Sequence, residues 1–195
     1  MDSTVRSAVG VSVVGVLHWA TLPGVVMHEL AHQFVAELFD LRVTEVDYTS
    51  HVQHETPRSL VQAVLVAVAP LVVNTAFGAA ALYLAADGLP YSPSALSLAP
   101  FDVAMAFLAF ALFFRAIPSL QDIANVFAGA RRRLGWRRPQ VLLGLVVLAP
   151  VLAPLYVGLW VARATGTRVV VDLGYAGLAF AALAGVSIGS VPAVV

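Results

Sequence analysis

The chain has 195 residues, 60% of them hydrophobic and only 11% charged, with eleven cationic residues against eleven anionic ones. That composition, with a mean hydropathy of +0.88, places the sequence among polytopic membrane proteins rather than soluble domains. The balanced charge offers no bulk attraction to nucleic acid, and the absence of cysteine excludes disulfides and thiolate metal sites, so any metal must be held by His, Asp or Glu.

An apolar run needs about 20 residues to cross a bilayer. The first such run extends from Val5 to Phe39, too long for one simple span. Its single early arginine, Arg6, and the lack of a small-residue cleavage site read as a retained membrane segment rather than a signal peptide. Pro23-Gly24 predicts a kink, because proline removes a helical hydrogen bond and glycine loosens the turn.

The half beyond the kink carries His28-Glu29-Leu30-Ala31-His32, an H-E-x-x-H pattern. On a helix its two imidazoles share a face one turn apart and can reach one metal ion. Glu29 can then lean toward a water on that metal and act as general base. The pattern arises by chance about 0.003 times in a chain of this composition. Ionisable groups inside an apolar run are costly and are functional candidates by default.

The stretch from Asp40 to Arg58 is polar, and residues 41–54 have the composition of a short strand or hairpin. A second span is expected from Ser59 to Ala86, then a turn-rich loop over residues 87–93. A third span starts near Pro100 and reaches at least Ile117, with Ile123 to Ala130 continuing as helix beyond Pro118. Arg131, Arg132, Arg133, Arg137 and Arg138 form a compact basic loop. A fourth span covers Val141 to Ala162, Ala164 to Asp172 is a connection, and a fifth covers Gly174 to Val191, where Gly185 and Gly189 form a G-x-x-x-G. The expected architecture is an all-α polytopic membrane bundle of about five to six transmembrane segments in a single domain, residues 1–195, with a short β-hairpin in the 41–54 loop.

Short loops rich in arginine stay cytoplasmic. If residues 129–138 face the cytoplasm, so does the polar stretch 40–58. Both His28 and Asp122 then lie about 14–17 Å from the cytoplasmic helix ends at 1.5 Å per residue, the shared depth that a common metal requires.

A catalytic zinc takes three protein ligands and leaves one position open. Asp122 is the choice for the third, being the one acid in the apolar stretch between Met105 and Arg131. The alternative is an ion pair with Arg115, seven residues back on the same helical face. Asn125, one turn on, is placed to orient the carboxylate. His51, His54 and Glu55 are competing ligands in the polar loop, and His18 and Asp102 lie apart from the motif. Asn74, below Pro70 in the second span, needs a partner in lipid: either a neighbouring helix, or a strand or substrate near the active centre.

The motif at His28 to His32, the Pro70–Asn74 element in the next span and the Pro118-led Asp122 resemble the site-2 protease family of intramembrane zinc metalloproteases. The resemblance covers roughly residues 20–130, with helices 139–195 as additions. It implies Zn2+ held by His28, His32 and Asp122, water activated by Glu29, and Asn74 as a substrate clamp. It also implies cleavage of membrane-protein substrates by a multi-pass cell-membrane protein whose site opens toward the cytoplasm. Asp122 is followed by Ile123 where the family has glycine, so the branch is a divergent, minimal one. Two other functions fit the same residues: a membrane metal-binding or transport protein, and an inactive protease-like scaffold.

Overall fold

The computed structural model describes residues 15–86, 99–133 and 139–183, which form seven helices and one small sheet. The first helix, α1, is helical over residues 15–20. Helix α2 (Leu22–Leu38) follows and leads into strands β1 (Val43–Asp47) and β2 (His51–His54). Then come α3 (Leu60–Ala86), α4 (Pro100–Phe114), α5 (Leu120–Arg133), α6 (Pro139–Ala164) and α7 (Arg168–Leu183). The expected loop at 87–93, Arg137 and Arg138 of the basic loop, and Gly185 and Gly189 lie outside the described residues.

The chain turns at Thr21, two residues before the expected kink. Pro23 sits in the first turn of α2, where its missing N–H costs nothing. Gly24 is the contact point of α2 with α4: a Cβ there would collide with the Ala111 carbonyl oxygen and stand 3.1 Å from the Arg115 Cβ.

Helix α2 ends in a Schellman turn. Asp40 takes a positive φ of 51°, its N–H bonds the Glu37 carbonyl, and the Leu41 N–H bonds the Ala36 carbonyl. Leu41 then packs on Ala36 and Val66, which folds the hairpin back over α2. The strands pair antiparallel, with Asp47 opposite His51 and an irregularity between Val43 and Glu45. Asp47 closes the connection by accepting from the Thr49 and Ser50 hydroxyls, each at 2.6 Å. Those bonds pull its pKa down to about 2, so the turn stays closed through mildly acidic conditions and loosens only as pH falls toward that value.

Helix α3 starts on a reciprocal cap between Ser59 and Gln62 and is the central element, touching α2, α4, α5 and α7. Among the described residues it is the one helix long and apolar enough to cross a membrane, Leu60–Ala85 at a mean hydropathy of 2.1. Helix α4 is apolar but shorter.

Two boundaries differ from the sequence reading. The third span breaks after Phe114, earlier than Ile117, because a helix running into Pro118 would drive the proline ring into the carbonyl four residues back. The connection expected up to Asp172 is a turn of three residues, with α7 beginning at Arg168. The β-branched run Val169–Val171 is a poor helix start, but the Arg168–Asp172 pair at 3.0 Å and packing of Ala176 with Phe113 and Phe114 in one core cluster override it.

Gly24→Ala should therefore force α2 from α4 and lower stability by about 1–3 kcal/mol. Gly158→Ala, with open space around it, should leave the unfolding midpoint unchanged or higher, as read by thermal unfolding in detergent.

Candidate metal centre

Helix α2 presents His28 and His32 one turn apart, and α5 brings Asp122 against them. The imidazole Nε2 atoms stand 3.3 Å apart. Asp122 Oδ1 is 3.4 Å from His32 Nε2, and Oδ2 is 3.9 Å from His28 Nε2. One ligand atom from each residue lies within 4.8 Å of the others. Atoms held about 2.0–2.1 Å from a tetrahedral cation stand about 3.3–3.4 Å from one another; the imidazole pair matches that edge, and the two carboxylate oxygens approach one imidazole each.

The outer nitrogens decide what the inner ones can be. His28 Nδ1 is 2.7 Å from the Arg115 carbonyl, and His32 Nδ1 is 2.8 Å from the Val66 carbonyl. A carbonyl only accepts, so both Nδ1 atoms carry hydrogen. Neutral imidazoles then turn two bare Nε2 lone pairs toward each other and toward a carboxylate. Three acceptors converging on one point can hold a metal ion between them, and a proton on one Nε2 shared with the carboxylate satisfies them as well. This fits a metal, and the carbonyl bonds are the outer-shell partners that fix ring orientation in metal sites.

Both carbonyls are free for a local reason. In an unbroken α3 the Val66 carbonyl would accept the N–H of residue 70, but residue 70 is proline and has none. The Arg115 carbonyl would accept the Ser119 N–H, but the chain breaks there, and that N–H bonds Asp122 Oδ2 at 2.7 Å instead. The Ser119 hydroxyl in return accepts the Asp122 N–H at 3.1 Å. Ser119 and Asp122 thus form a capping box on α5, and the cap aims the carboxylate.

Glu29 is 8% exposed and faces a cavity of about 520 Å³ that the two histidines, Asp122 and strand β2 enclose. The Val52 backbone amide lies toward its carboxyl group. The alternatives raised for other residues separate cleanly. Arg115 donates its Nε to the Thr21 hydroxyl at 2.9 Å and makes no ion pair with Asp122, since the break at 115–119 removes the continuous helical face that pairing needed. Asn125 accepts from Gln121 rather than orienting Asp122. His51 bonds the Ser50 hydroxyl and approaches Glu45 at 3.6 Å, and His54 bonds the Glu55 carbonyl. Both line the cavity wall without joining the ligand cluster. His18 borders a neighbouring cavity, and Asp102 lies in the first turn of α4.

Asn74, expected at the substrate, is 0% exposed and lines neither cavity. Its amide donates to the Gly24 carbonyl at 3.0 Å and to the Arg115 carbonyl at 3.1 Å. It therefore braces α2 and the α4 end against α3, and holds the carbonyl that holds His28. The residues that sequence reading passed over are Ser119 and the carbonyls of Val66 and Arg115. The Ser119-x-x-Asp122 spacing and the position four before Pro70 were the available signals.

Comparison with known proteins yields no family: no protein-family model, no curated protein and no solved structure matches the chain.

Asp122→Ala should weaken divalent-metal binding by more than the roughly 10–100-fold typical of losing a supporting partner. Pro70→Ala restores an N–H that competes for the Val66 carbonyl. It should weaken metal binding within that roughly 10–100-fold range without lowering thermal stability. Calorimetric metal titration of the purified proteins checks both.

Proposed function

We propose that the protein is an intramembrane zinc metalloprotease that hydrolyses peptide bonds of membrane-embedded protein substrates. The observation that carries this reading is the set of three acceptors at His28, His32 and Asp122 with a carboxyl group, Glu29, on the same cavity wall. Two imidazoles and one carboxylate are the ligand type of catalytic zinc, with a fourth position left for water.

When bound, zinc supplies Lewis-acid polarisation and lowers the pKa of its water to about 7. Glu29 takes the proton from the attacking water and hands it to the leaving amine. His28 and His32 stay fixed through the step because their Nδ1 hydrogens are tied to backbone. A peptide must be locally extended for its carbonyl to be reached, since a helical carbonyl is occupied by its own hydrogen bond. Strand β2 borders the cavity and has one edge unpaired by β1, so an extended segment can add there through main-chain bonds.

A lipid setting is supported by the large apolar side chains on the outside of the fold. Trp19, Phe34, Val72, Tyr83, Val170 and Leu178 are each more than 60% exposed, and they lie on four different helices, far more than a water-facing surface carries as one patch. The chain is multi-pass on this reading. On the same reading, the arginines ending α5 favour the cytoplasmic side for that end, the hairpin and the cavity mouth.

Glu29→Gln should retain metal at the wild-type ratio and lose about 10²–10⁴-fold or more in cleavage rate. The check is single-turnover hydrolysis of a model transmembrane peptide beside metal analysis. A variant that cleaves as fast as wild type removes Glu29 from the chemistry, and metal flux into proteoliposomes without hydrolysis would favour a transporter.

A further inference from the structure

A second cavity, of about 580 Å³, adjoins the first and shares His28, Glu29, Ser50 and Ser119 with it. Its far wall carries Arg115, Arg163, Arg168 and Asp172. These charges do different jobs. Arg168 is fully engaged: its Nε pairs with Asp172 at 3.0 Å, and its two NH2 groups donate to the carbonyls of Pro118 and Ile117 at 3.4 and 3.2 Å. That pair braces the α4–α5 break from α7. Glu29 belongs to the chemistry. Two guanidiniums remain.

Arg115 is held in place by neutral groups. Its Nε bonds the Thr21 hydroxyl and its guanidinium carbon lies 5.2 Å from the centre of the Phe114 ring. Among the described residues no carboxylate lies within 4.0 Å of it. Arg163, near the end of α6, is exposed and makes no hydrogen bond within the described residues. An oriented guanidinium fork whose NH2 groups make no hydrogen bond within the described residues fits a carboxylate.

We propose that this second cavity is a subsite for a carboxylate of the substrate peptide, gripped by Arg115 and Arg163 while the scissile bond lies at Glu29. The proposal rests on the protease reading and names a feature of the substrate. The shared walls favour an anion carried on the cleaved chain itself. Asp172 and Glu29 in the same walls disfavour a dianion, which selects a carboxylate over a phosphate. The carboxylate comes from the peptide's C-terminus or from an Asp or Glu side chain near the cleavage point.

The test reads binding, not turnover, on full-length metal-loaded Glu29→Gln protein in detergent. Three fluorescent transmembrane peptides of one sequence are compared by anisotropy: a C-terminal free acid, a C-terminal amide with one internal Glu, and a neutral amide. One of the first two should bind about tenfold tighter than the neutral amide, the scale of one charge-assisted contact. Adding Arg163→Gln should bring that ratio to about one, and Arg115→Gln should do the same where the variant folds. Preference for the free acid assigns the C-terminus, and preference for the Glu peptide assigns a side chain. Equal binding of all three, binding of none, or a preference that survives Arg163→Gln overturns the subsite. Competition by inorganic phosphate stronger than by acetate reassigns the cavity and overturns the carboxylate. Absence of hydrolysis by the wild type, with the binding preference intact, strikes the protease reading alone.

Discussion

Two imidazole nitrogens 3.3 Å apart face one carboxylate, an arrangement that a shared metal ion or proton relieves. Everything around the site works to hold that arrangement. Each histidine is tethered by its far nitrogen to a carbonyl, and the carboxylate is tethered by a helix cap. The tethers come from places where a helix is interrupted. Pro70 deletes one donor inside α3, and the break before α5 deletes another. In an apolar interior an unmet carbonyl costs free energy, so each interruption creates an acceptor that has to be satisfied. The histidines satisfy them and are oriented in doing so. Helix breaks are here the means by which the ligands are aimed.

That logic explains which parts of the site were legible in the amino-acid sequence. The His28–His32 spacing, the bounds of α3 and the hairpin follow from local pattern, and each stands where the periodicity put it. Asp122 was legible as a lone acid at the right depth. Its competing partner, Arg115, fell away because a seven-residue spacing shares a face only on an unbroken helix. For Asn74 the neighbouring-helix alternative is the one the structure shows, and its partners, Gly24 and Arg115, lie 50 and 41 positions away. Nothing local announces such a contact, whereas the capping box at Ser119 is a three-residue pattern that local reading can find. The start of α7 was hidden by the β-branched run at 169–171, whose weak helical preference is overcome only by packing and by the Arg168–Asp172 pair.

The lengths of the helices bear on where chemistry can occur. Helix α3, with 27 residues, and α6, with 26, have the length to span a bilayer core at about 1.5 Å per residue. Helices α2 and α4 have 17 and 15 residues, each short of the about 20 that a single crossing needs. Helices α4 and α5 meet end to end at the break, and α7 begins against that same break through Arg168. Helix ends carry free N–H and C=O groups, and such groups are tolerated at membrane depth only where they are buried in protein or line a wet cavity. Both adjoining cavities are lined by residues of the 115–119 break.

The close approach of α2 to α4 is what joins these features. Because Gly24 has no side chain, the Arg115 backbone reaches α2, and its carbonyl meets both His28 and Asn74. The same approach carries the Arg115 guanidinium to Thr21 and into the wall of the second cavity. One residue therefore contributes its backbone to the aim of a metal ligand and its side chain to the neighbouring pocket. A displacement of α4 by even the width of a methyl group acts on both at once, so the orientation of His28 and the position of the cationic wall are mechanically coupled through a single glycine contact.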